Sequence, residues 1–269
     1  MSRTVLITGA ARGIGAATAR RLHARGARLV LLDRDAEELS ALAASLGGDV
    51  LACPADVTDV GDLDRAVAAG IERFGGLDVA IANAGVAPVG SIADSPPEEI
   101  ERTIEINLLG VWRTDRAVLP AITERRGYIL NVASMAAAGQ LPLMGAYAAS
   151  KAGVEAFTNV LRMELRPAGV AVGCAYFGWI DTDMVRTSLT DPAGRAVHRL
   201  LPGALGRPAG VDAAARVLED AVARRAERAL FPSTGGAALA LRGVTQPLSE
   251  RILAARSGAV ERALALAGR

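Results

Sequence analysis

Lysine is almost absent from this sequence. The chain has 30 basic residues, and all of them except Lys151 are arginine. Lysine carries a compact ammonium with rotatable donors, whereas the planar guanidinium of arginine needs a wider site. An arginine-rich composition explains the many arginines, but it does not explain where the single lysine is kept. The residues around Lys151 are therefore the first place to look for chemistry.

Cysteine, net charge and long apolar runs are scarce as well. The two cysteines, Cys53 and Cys174, lie in apolar strand-like runs, so we expect reduced core residues and neither a disulfide framework nor a metal cluster. A net charge of +1 without a basic block offers no surface for nucleic acid. No uninterrupted apolar stretch reaches the ~18 residues of a membrane span, and a strand begins too early to leave room for a signal peptide. We therefore expect a cytoplasmic protein.

Apolar strand-like runs alternate with helical patterns along most of the chain. These runs cover residues 3–8, 29–33, 50–53, 79–82, 128–133, 170–175 and 228–231. The alternation predicts an α/β fold, a Rossmann-like doubly wound parallel sheet of about seven strands with helices on both faces. With 269 residues, a hydrophobic fraction of 51% and no linker, the sequence predicts a single domain over residues 1–269.

Tyr147 stands four residues before Lys151, at the start of a helical pattern. Residues at i and i+4 share a helix face, roughly 6 Å apart along the axis. A cation at that distance, together with the positive end of the helix, favours the phenolate. We therefore expect Lys151 to lower the pKa of Tyr147, so that the phenol can pass a proton to or from an alcohol. The alternative is a chance placement of the lone lysine.

A glycine turn follows the first strand. Gly9, Gly13 and Gly15 have the spacing G-x-x-x-G-x-G and precede a helical pattern that contains Ile14 and ends at Gly26. Glycines let the backbone approach a phosphate, and the start of a helix favours negative charge. The turn predicts a dinucleotide site, although a tight strand-to-helix turn without a ligand would have the same pattern.

The second strand ends in a carboxylate, Asp33, 18 residues after Gly15. Folds of this kind place an acid there to bind the adenosine ribose hydroxyls. Asp33 would repel a 2′-phosphate, which favours NAD, whereas Arg12 or Arg34 could pair with that phosphate and would favour NADP. We expect NAD, because a carboxylate on the ribose is the more direct determinant.

Three further polar residues have ordinary structural explanations. Asn83 follows the fourth strand and tolerates turn geometry. Asn107 lies within a long helical pattern that begins at Pro96 or Pro97, where an asparagine is usually only tolerated. Ser134 follows the fifth strand, at the edge where parallel sheets bind ligands, but a serine there is commonly a cap or a turn residue.

Taken together, these motifs resemble the short-chain dehydrogenase/reductase family, in its shorter single-domain branch, over roughly residues 3–182. The resemblance implies a catalytic tetrad of Asn107, Ser134, Tyr147 and Lys151. In that family the tyrosine is the acid/base, and the lysine binds the nicotinamide ribose and lowers the tyrosine pKa. The serine hydrogen-bonds the substrate oxygen, and the asparagine holds a water in a proton relay.

The resemblance also implies residues for the cofactor. Asp56 would contact adenine, Asn83-Ala84-Gly85 would stabilise the central strands, and Thr182 would contact the nicotinamide carboxamide. The expected cofactor-binding residues are Gly9, Arg12, Gly13, Ile14, Gly15, Asp33, Arg34, Asp56, Val57, Asn83, Gly85, Tyr147, Lys151, Gly178 and Thr182.

The loop after the sixth strand departs from the family pattern. Phe177 replaces the usual proline before Gly178, which should loosen the loop unless the ring packs on the core. Phe177 and Trp179 could instead line the substrate cavity, and the residues leave both possibilities open.

The carboxyl-terminal third suggests a lid and a tail. Apolar residues among polar ones over residues 183–205 are typical of a lid, and equally of an amphipathic connection. Residues 233–269 have a helical amphipathic pattern. This tail could cover the substrate mouth, pack on another subunit or lie on a membrane surface, and packing within the protein is the simplest expectation.

We expect an NAD(P)-dependent oxidoreductase that interconverts a secondary alcohol and a ketone, with an apolar, steroid-like or fatty substrate suggested by the lid and tail composition. The alternative is a catalytically silent protein that senses NAD(P), in a regulatory or scaffold role. The resemblance further implies a homodimer or homotetramer that pairs the long helices near residues 97–120 and 145–166.

Overall fold

The sheet has seven strands, all parallel, in the order β3-β2-β1-β4-β5-β6-β7. This computed structural model describes residues 3–201 and 206–267. The strands are β1 (Thr4–Thr8), β2 (Arg28–Asp33), β3 (Val50–Pro54), β4 (Val79–Ala82), β5 (Tyr128–Val132), β6 (Ala171–Phe177) and β7 (Arg228–Phe231). The predicted doubly wound parallel sheet is confirmed, and β6 runs two residues further than expected.

The helices cover both faces of the sheet and extend beyond its last strand. In chain order they are α1 (Gly13–Ala24), α2 (Ala36–Leu46), α3 (Val60–Phe74), α4 (Pro97–Ile104), α5 (Gly110–Glu124), α6 (Gly145–Leu165), α7 (Asp183–Thr190), α8 (Pro192–His198), α9 (Val211–Arg224), α10 (Gly235–Ala240), α11 (Arg242–Ala254) and α12 (Ser257–Ala267). Among the described residues, no helix is both long and apolar enough to cross a membrane.

The core lies in two layers, one on each side of the sheet. Successive side chains of a strand point to opposite faces. On β1, Val5 and Ile7 therefore join the layer beneath α1, α2 and α9, while Leu6 joins the layer beneath α3 and α5. All five residues of β1 are buried. This is why the inner strands read as continuous apolar runs rather than as alternating ones.

The strand order reverses between β1 and β4. The crevice at the carboxyl ends of these two strands is the usual ligand site of an open parallel sheet. The glycine turn follows β1 and the Asn83 segment follows β4, so the topology brings the two motifs together at this crevice.

The predicted lid and tail are both helical where they are described. The lid range contains α7 and α8, while its residues 202–205 lie outside the described part of the chain. The tail contains α10, α11 and α12. The division into one domain with a lid and a tail stays a prediction.

Candidate active site

Three positions of the glycine turn require glycine. Gly9 and Gly13 have φ values of +65° and +55°, in the left-handed region that side chains disfavour. A Cβ on Gly15 would collide with the carbonyl oxygen of Gly9. Asn83 Nδ2 donates to the carbonyl oxygens of Thr8 (3.0 Å) and Gly9 (3.1 Å), which ties this turn to the end of β4. The structural role expected for Asn83 is thus what the contacts describe.

The first turn of α1 is open to an anion. α1 begins at Gly13, and the Arg12 side chain in the capping position makes no cap hydrogen bond. Backbone amides at an uncapped helix start, next to a glycine turn, are suited to a phosphate. The chain here fits a dinucleotide. Ile14 packs against the core and holds this end of the helix on the sheet.

Asp33 hydrogen-bonds the backbone of the glycine turn. Its Oδ2 accepts a hydrogen bond from the Ala11 amide over 3.0 Å, and its Oδ1 accepts one from the Asp35 amide over 3.2 Å. Arg12 forms ion pairs with Asp35 and Glu38 on the neighbouring helix, so its charge is already matched by two carboxylates.

Asp56 lies just after β3, an edge strand of the sheet. Its Oδ1 accepts hydrogen bonds from the Thr58 amide (2.9 Å) and hydroxyl (2.8 Å). Burial alone would raise the pKa of Asp56, but these hydrogen bonds and the charges of Arg34 and Arg102 hold it below its ordinary value. The exposed Arg34 therefore acts on Asp56, while Val57 is buried in the core.

A cavity of about 360 Å³ opens beside Asp56. It is lined by Asp56, Thr58, Glu98, Glu101, Arg102, Glu105 and Ile106. The sequence motifs did not indicate the α4 residues of this lining, because their acidic helical pattern is that of an ordinary solvent-exposed face.

Tyr147 and Lys151 lie side by side at the carboxyl edge of the sheet. The Lys151 Nζ lies 5.9 Å from the centre of the Tyr147 ring and donates to the carbonyl oxygen of Val132 over 2.8 Å. Lys151 is only 4% exposed, and burial lowers its pKa to about 8. The expected i, i+4 neighbourhood of the two side chains is therefore present.

The pKa of Tyr147 moves in the direction opposite to the one we predicted. Burial raises the pKa of this phenol, and a hydrogen bond with Ser134 opposes the shift only in part. The prediction from the lysine spacing was wrong in direction, because partial enclosure of the phenol by protein penalises the phenolate. The same enclosure brings Lys151 closer to its neutral form.

Ser134 joins the end of β5 to Tyr147. Its Oγ donates to the carbonyl oxygen of Phe177 (3.3 Å) and accepts from the Ala136 amide (3.1 Å), which caps a short 3₁₀ turn. Ser134 also hydrogen-bonds the Tyr147 side chain. The serine is thus both the structural cap that its position suggested and a direct neighbour of the phenol.

Asn107 lies in a π-helical turn, Glu105–Leu109, between α4 and α5. We expected one continuous helix, and the interruption corrects that expectation. The Asn107 Oδ1 accepts from the Val86 amide, and its Nδ2 donates to the Val86 carbonyl oxygen, both over 2.8 Å. The Nδ2 also donates to Ser150 Oγ over 3.1 Å. Single π turns inside α-helices are frequent at functional sites.

Gly85 is the point at which Asn107 and Lys151 meet. A Cβ on Gly85 would lie 3.2 Å from Asn107 Oδ1 and 3.6 Å from Lys151 Nζ. The structure therefore brings the four predicted catalytic residues to one place: Lys151 lies beside both Asn107 and Tyr147, and Ser134 lies beside Tyr147.

Comparison with known proteins identifies the family of this chain. Residues 3–193 match the family model described as short chain dehydrogenase. The chain belongs to the short-chain dehydrogenase/reductase family.

Similar proteins include dehydrogenases with different substrates. Trans-4-hydroxycyclohexanecarboxylate dehydrogenase of Sinomonas cyclohexanicum is 39% identical over 191 residues, which cover 68% of this chain and 74% of the relative. L-fucose dehydrogenase of Mus musculus is 35% identical over 221 residues, which cover 79% of this chain and 80% of the relative. This short-chain dehydrogenase is accordingly an NAD(P)-dependent oxidoreductase that acts on CH–OH groups.

A solved structure has the same fold. The crystal structure of 3-ketoacyl-(acyl-carrier-protein) reductase from Brucella melitensis complexed with NADH is similar at a TM-score of 0.75 and 29% identity. The match covers 85% of this chain and 96% of that one. Part of the dehydrogenase described here therefore lies outside the shared fold.

The loop after β6 lies next to the glycine turn. The Gly178 amide donates to the carbonyl oxygen of Phe231 over 2.8 Å. Thr182 caps α7, and its methyl group would lie 3.4 Å from a Cβ on Gly13. Phe177 is 4% exposed and packs in the core, so it supports the loop and does not line a cavity. Trp179 contacts His198 of α8 edge to face, with ring centres 5.0 Å apart.

Ser150 and Val86 are the site neighbours that sequence reasoning missed. Ser150 is fully buried, and its hydroxyl donates to the carbonyl oxygen of Tyr147 while accepting from Asn107. One signal was available, because Ser150 lies between Tyr147 and Lys151 on a helix. Its partner across the fold is visible only in three dimensions.

Proposed function

We propose that this dehydrogenase interconverts a secondary alcohol and a ketone, with Tyr147 as the acid/base. The observation that carries the proposal is the convergence of the Ser134 hydroxyl and the Lys151 ammonium on one phenol at the carboxyl edge of the sheet. Such a group, within reach of a substrate oxygen, is the usual arrangement for proton transfer to or from an alcohol.

Each side chain then has a distinct task. Ser134 donates a hydrogen bond to the substrate oxygen and orients it towards Tyr147. In ketone reduction the phenol of Tyr147 gives its proton to that oxygen, and in alcohol oxidation the phenolate form of Tyr147 takes the proton up. Burial raises the pKa of Tyr147, which keeps the phenol protonated and ready to donate. A nicotinamide cofactor, when bound, supplies or accepts the hydride.

Lys151 and Asn107 support this proton transfer. The ammonium of Lys151 places positive charge beside Tyr147 when the phenol loses its proton, and its remaining donors can bind ribose hydroxyls. Asn107 uses its side-chain amide to bind the Val86 backbone, which fixes the segment after Gly85 beside Lys151. We assign Asn107 to positioning and to holding a water in the proton relay.

We propose NAD as the preferred cofactor. The carboxylate of Asp33 lies beside the glycine turn and retains acceptor capacity for ribose hydroxyls. Arg12, one of the two arginines that could favour NADP, is engaged by Asp35 and Glu38. The remaining cofactor contacts that we propose are those of the glycine turn, Asp56, Val57, Gly85, Gly178 and Thr182.

We propose an apolar substrate, steroid-like or fatty, and a cytoplasmic location. The support for the substrate class is the apolar residues spread through the lid and tail ranges, residues 183–205 and 233–269. Oxidation of NADH or NADPH with a panel of apolar and polar ketones would test the class, and turnover confined to polar ketones would exclude it.

We also propose self-association through α5 and α6. Trp112 on α5 and Phe157, Val160 and Met163 on α6 are large apolar residues that are between 44% and 67% exposed. Their clustering on two long neighbouring helices supports a homodimer or homotetramer.

The acid/base role is tested by Tyr147→Phe. We expect this variant to fold and bind cofactor, but to lose turnover by about 10²–10⁴-fold, the usual size of general acid/base catalysis. Tyr128→Phe is the matched control, because Tyr128 lies at the amino end of β5 and its hydroxyl donates only to the Ala226 carbonyl oxygen. Retained turnover in Tyr147→Phe would exclude the proposed role.

A further inference from the structure

The end of the tail folds back onto the lid range. α12 packs on α8, so the last helix of the tail contacts the second helix of the lid range. Ala193 and Val197 of α8 and Ala263 of α12 are each no more than 2% exposed. The contact is thus closely packed and apolar.

The same contact includes the loop that leads into Tyr147. Leu143, 5% exposed, belongs to the cluster of Ala193, Val197 and Ala263. Leu143 has φ +63°, a left-handed conformation that a leucine adopts only when its surroundings impose it. Its carbonyl oxygen accepts from the Gly90 amide over 2.9 Å. Two residues later α6 begins, with Tyr147 in its first turn.

The other end of α8 meets the loop after β6. His198, the last residue of α8, contacts the ring of Trp179. α8 therefore bridges the loop before Tyr147 and the loop that carries Gly178. A helix of seven residues has little stability by itself and depends on the packing of its apolar face. α12 supplies a large part of that packing.

We propose that α12 is a positioning element of the substrate site. It holds α8 against residues 141–144, the loop before α6. Its buried Ala263 therefore affects the affinity for the substrate and not the rate of the chemical step. This inference rests on the proposed function of Tyr147. The family match ends at residue 193, so the tail helix is a feature of this chain beyond that match. If α12 is loosened, α8 can move away from this loop. The space beside Tyr147 then becomes wider, and the substrate binds less tightly.

The test is Ala263→Asp, compared with Ala265→Asp. Both variants add one negative charge to α12, but Ala263 is fully buried against α8 and Ala265 is exposed. A buried, unpaired carboxylate is costly, so Ala263→Asp should separate the two helices. We expect KM for the ketone to rise by about tenfold or more, which corresponds to about 1.4 kcal/mol of lost binding, with kcat nearly unchanged. The dissociation constant of NADH should stay the same, because the glycine turn is not part of this contact.

Hydrogen exchange provides a readout that needs no substrate. Amides of residues 192–198 should exchange faster in Ala263→Asp and remain unchanged in Ala265→Asp. Ala263→Ser, a milder change at the same position, replaces Ala263→Asp if the latter does not fold. Unchanged exchange at residues 192–198, or an unchanged or lower KM, overturns the inference. If no alcohol or ketone is turned over, the proposed function fails, while the exchange experiment still decides whether α12 holds α8.

Discussion

Asn107 and Ser150 are hydrogen-bonded to each other across two helices, with Nδ2 of Asn107 donating to Oγ of Ser150 over 3.1 Å. Ser150 passes the connection on, because its hydroxyl donates to the carbonyl oxygen of Tyr147 over 2.7 Å. The π turn that carries Asn107 is thereby fixed to the helix that carries Tyr147 and Lys151. This buried link holds Asn107 at a fixed distance from Tyr147 and Lys151.

Ser150→Ala should lower kcat by about fivefold, because losing one buried hydrogen bond costs about 1 kcal/mol and leaves Asn107 less well oriented. We expect little change in the binding of NADH. Ser249→Ala is the control, since Ser249 makes the same kind of helical hydrogen bond, to the Gln246 carbonyl oxygen over 2.7 Å, without an asparagine partner. Steady-state kinetics and thermal unfolding of both variants separate the effect on the site from general destabilisation. Equal kcat values in the two variants would show that the link has no role in turnover.

Much of the fold could be predicted because its signals are local. The buried strands on both sides of β1 appear as continuous apolar runs. The glycine spacing and the Tyr147–Lys151 interval are also local patterns. A parallel sheet with right-handed crossovers leaves few other topologies for such a pattern.

The features that the sequence did not reveal depend on packing between distant segments. The π turn at Asn107 has no local sequence motif, and the hydrogen bonds from Asn107 to Val86 and Ser150 that accompany it join distant segments. The direction of the pKa shift at Tyr147 depends on how fully the folded chain surrounds the phenol. Phe177 could have faced the cavity or the core, and only the position of β6 decides for the core.

Asp33→Asn should shift cofactor preference from NAD towards NADP. The asparagine can still accept from the Ala11 amide, which Asp33 now binds over 3.0 Å, so the glycine turn should keep its shape. The lost charge weakens the hold on ribose hydroxyls and removes the repulsion of a 2′-phosphate. We expect the ratio of kcat/KM for NAD to that for NADP to fall by about tenfold or more. Asp35→Asn is the control. If the ratio of kcat/KM for NAD to that for NADP changes only in Asp35→Asn, the discrimination between the two cofactors depends on Arg12 and not on Asp33.

Met163→Glu should reduce self-association. Met163 is 67% exposed on α6, and a carboxylate in the centre of an apolar interface is costly to desolvate. Light scattering coupled to size-exclusion chromatography should show a smaller particle than for the unmodified chain. Leu248→Glu makes the same kind of change on α11, where Leu248 is 56% exposed. If Leu248→Glu dissociates the assembly and Met163→Glu does not, the tail and not α6 forms the interface.

Asp115 is a buried carboxylic acid whose ionisation should destabilise the folded protein. It is 6% exposed, its Oδ2 accepts from Asn131 Nδ2 over 2.8 Å, and its Oδ1 has no partner among the described residues. Burial raises its pKa to about 7, against which the Asn131 hydrogen bond acts weakly. The folded state therefore holds this proton more tightly than the unfolded state does.

The pH dependence follows from that difference. Below pH about 4 the carboxyl is protonated in both states and carries no penalty, whereas between pH about 4 and 7 the unfolded state loses the proton first. The contribution of Asp115 to stability is thus lost as pH rises to about 7 and stays lost above it. Asp115→Asn should have little effect at pH 4 and should raise the free energy of unfolding at pH 8 by up to about 4 kcal/mol, since one pKa unit corresponds to about 1.4 kcal/mol.

Urea unfolding of Asp115→Asn at several pH values would measure this effect. The exposed Asp64→Asn on α3 is the matched control, because it removes the same charge without a burial penalty, and its stability difference should not vary with pH in this way. A difference between Asp115→Asn and the unmodified chain that is the same at pH 4 and pH 8 would show that Asp115 keeps its ordinary ionisation in the core. A difference that grows up to pH about 7 and is then constant would identify the buried carboxyl as its source, because only a group with a raised folded-state pKa produces that profile.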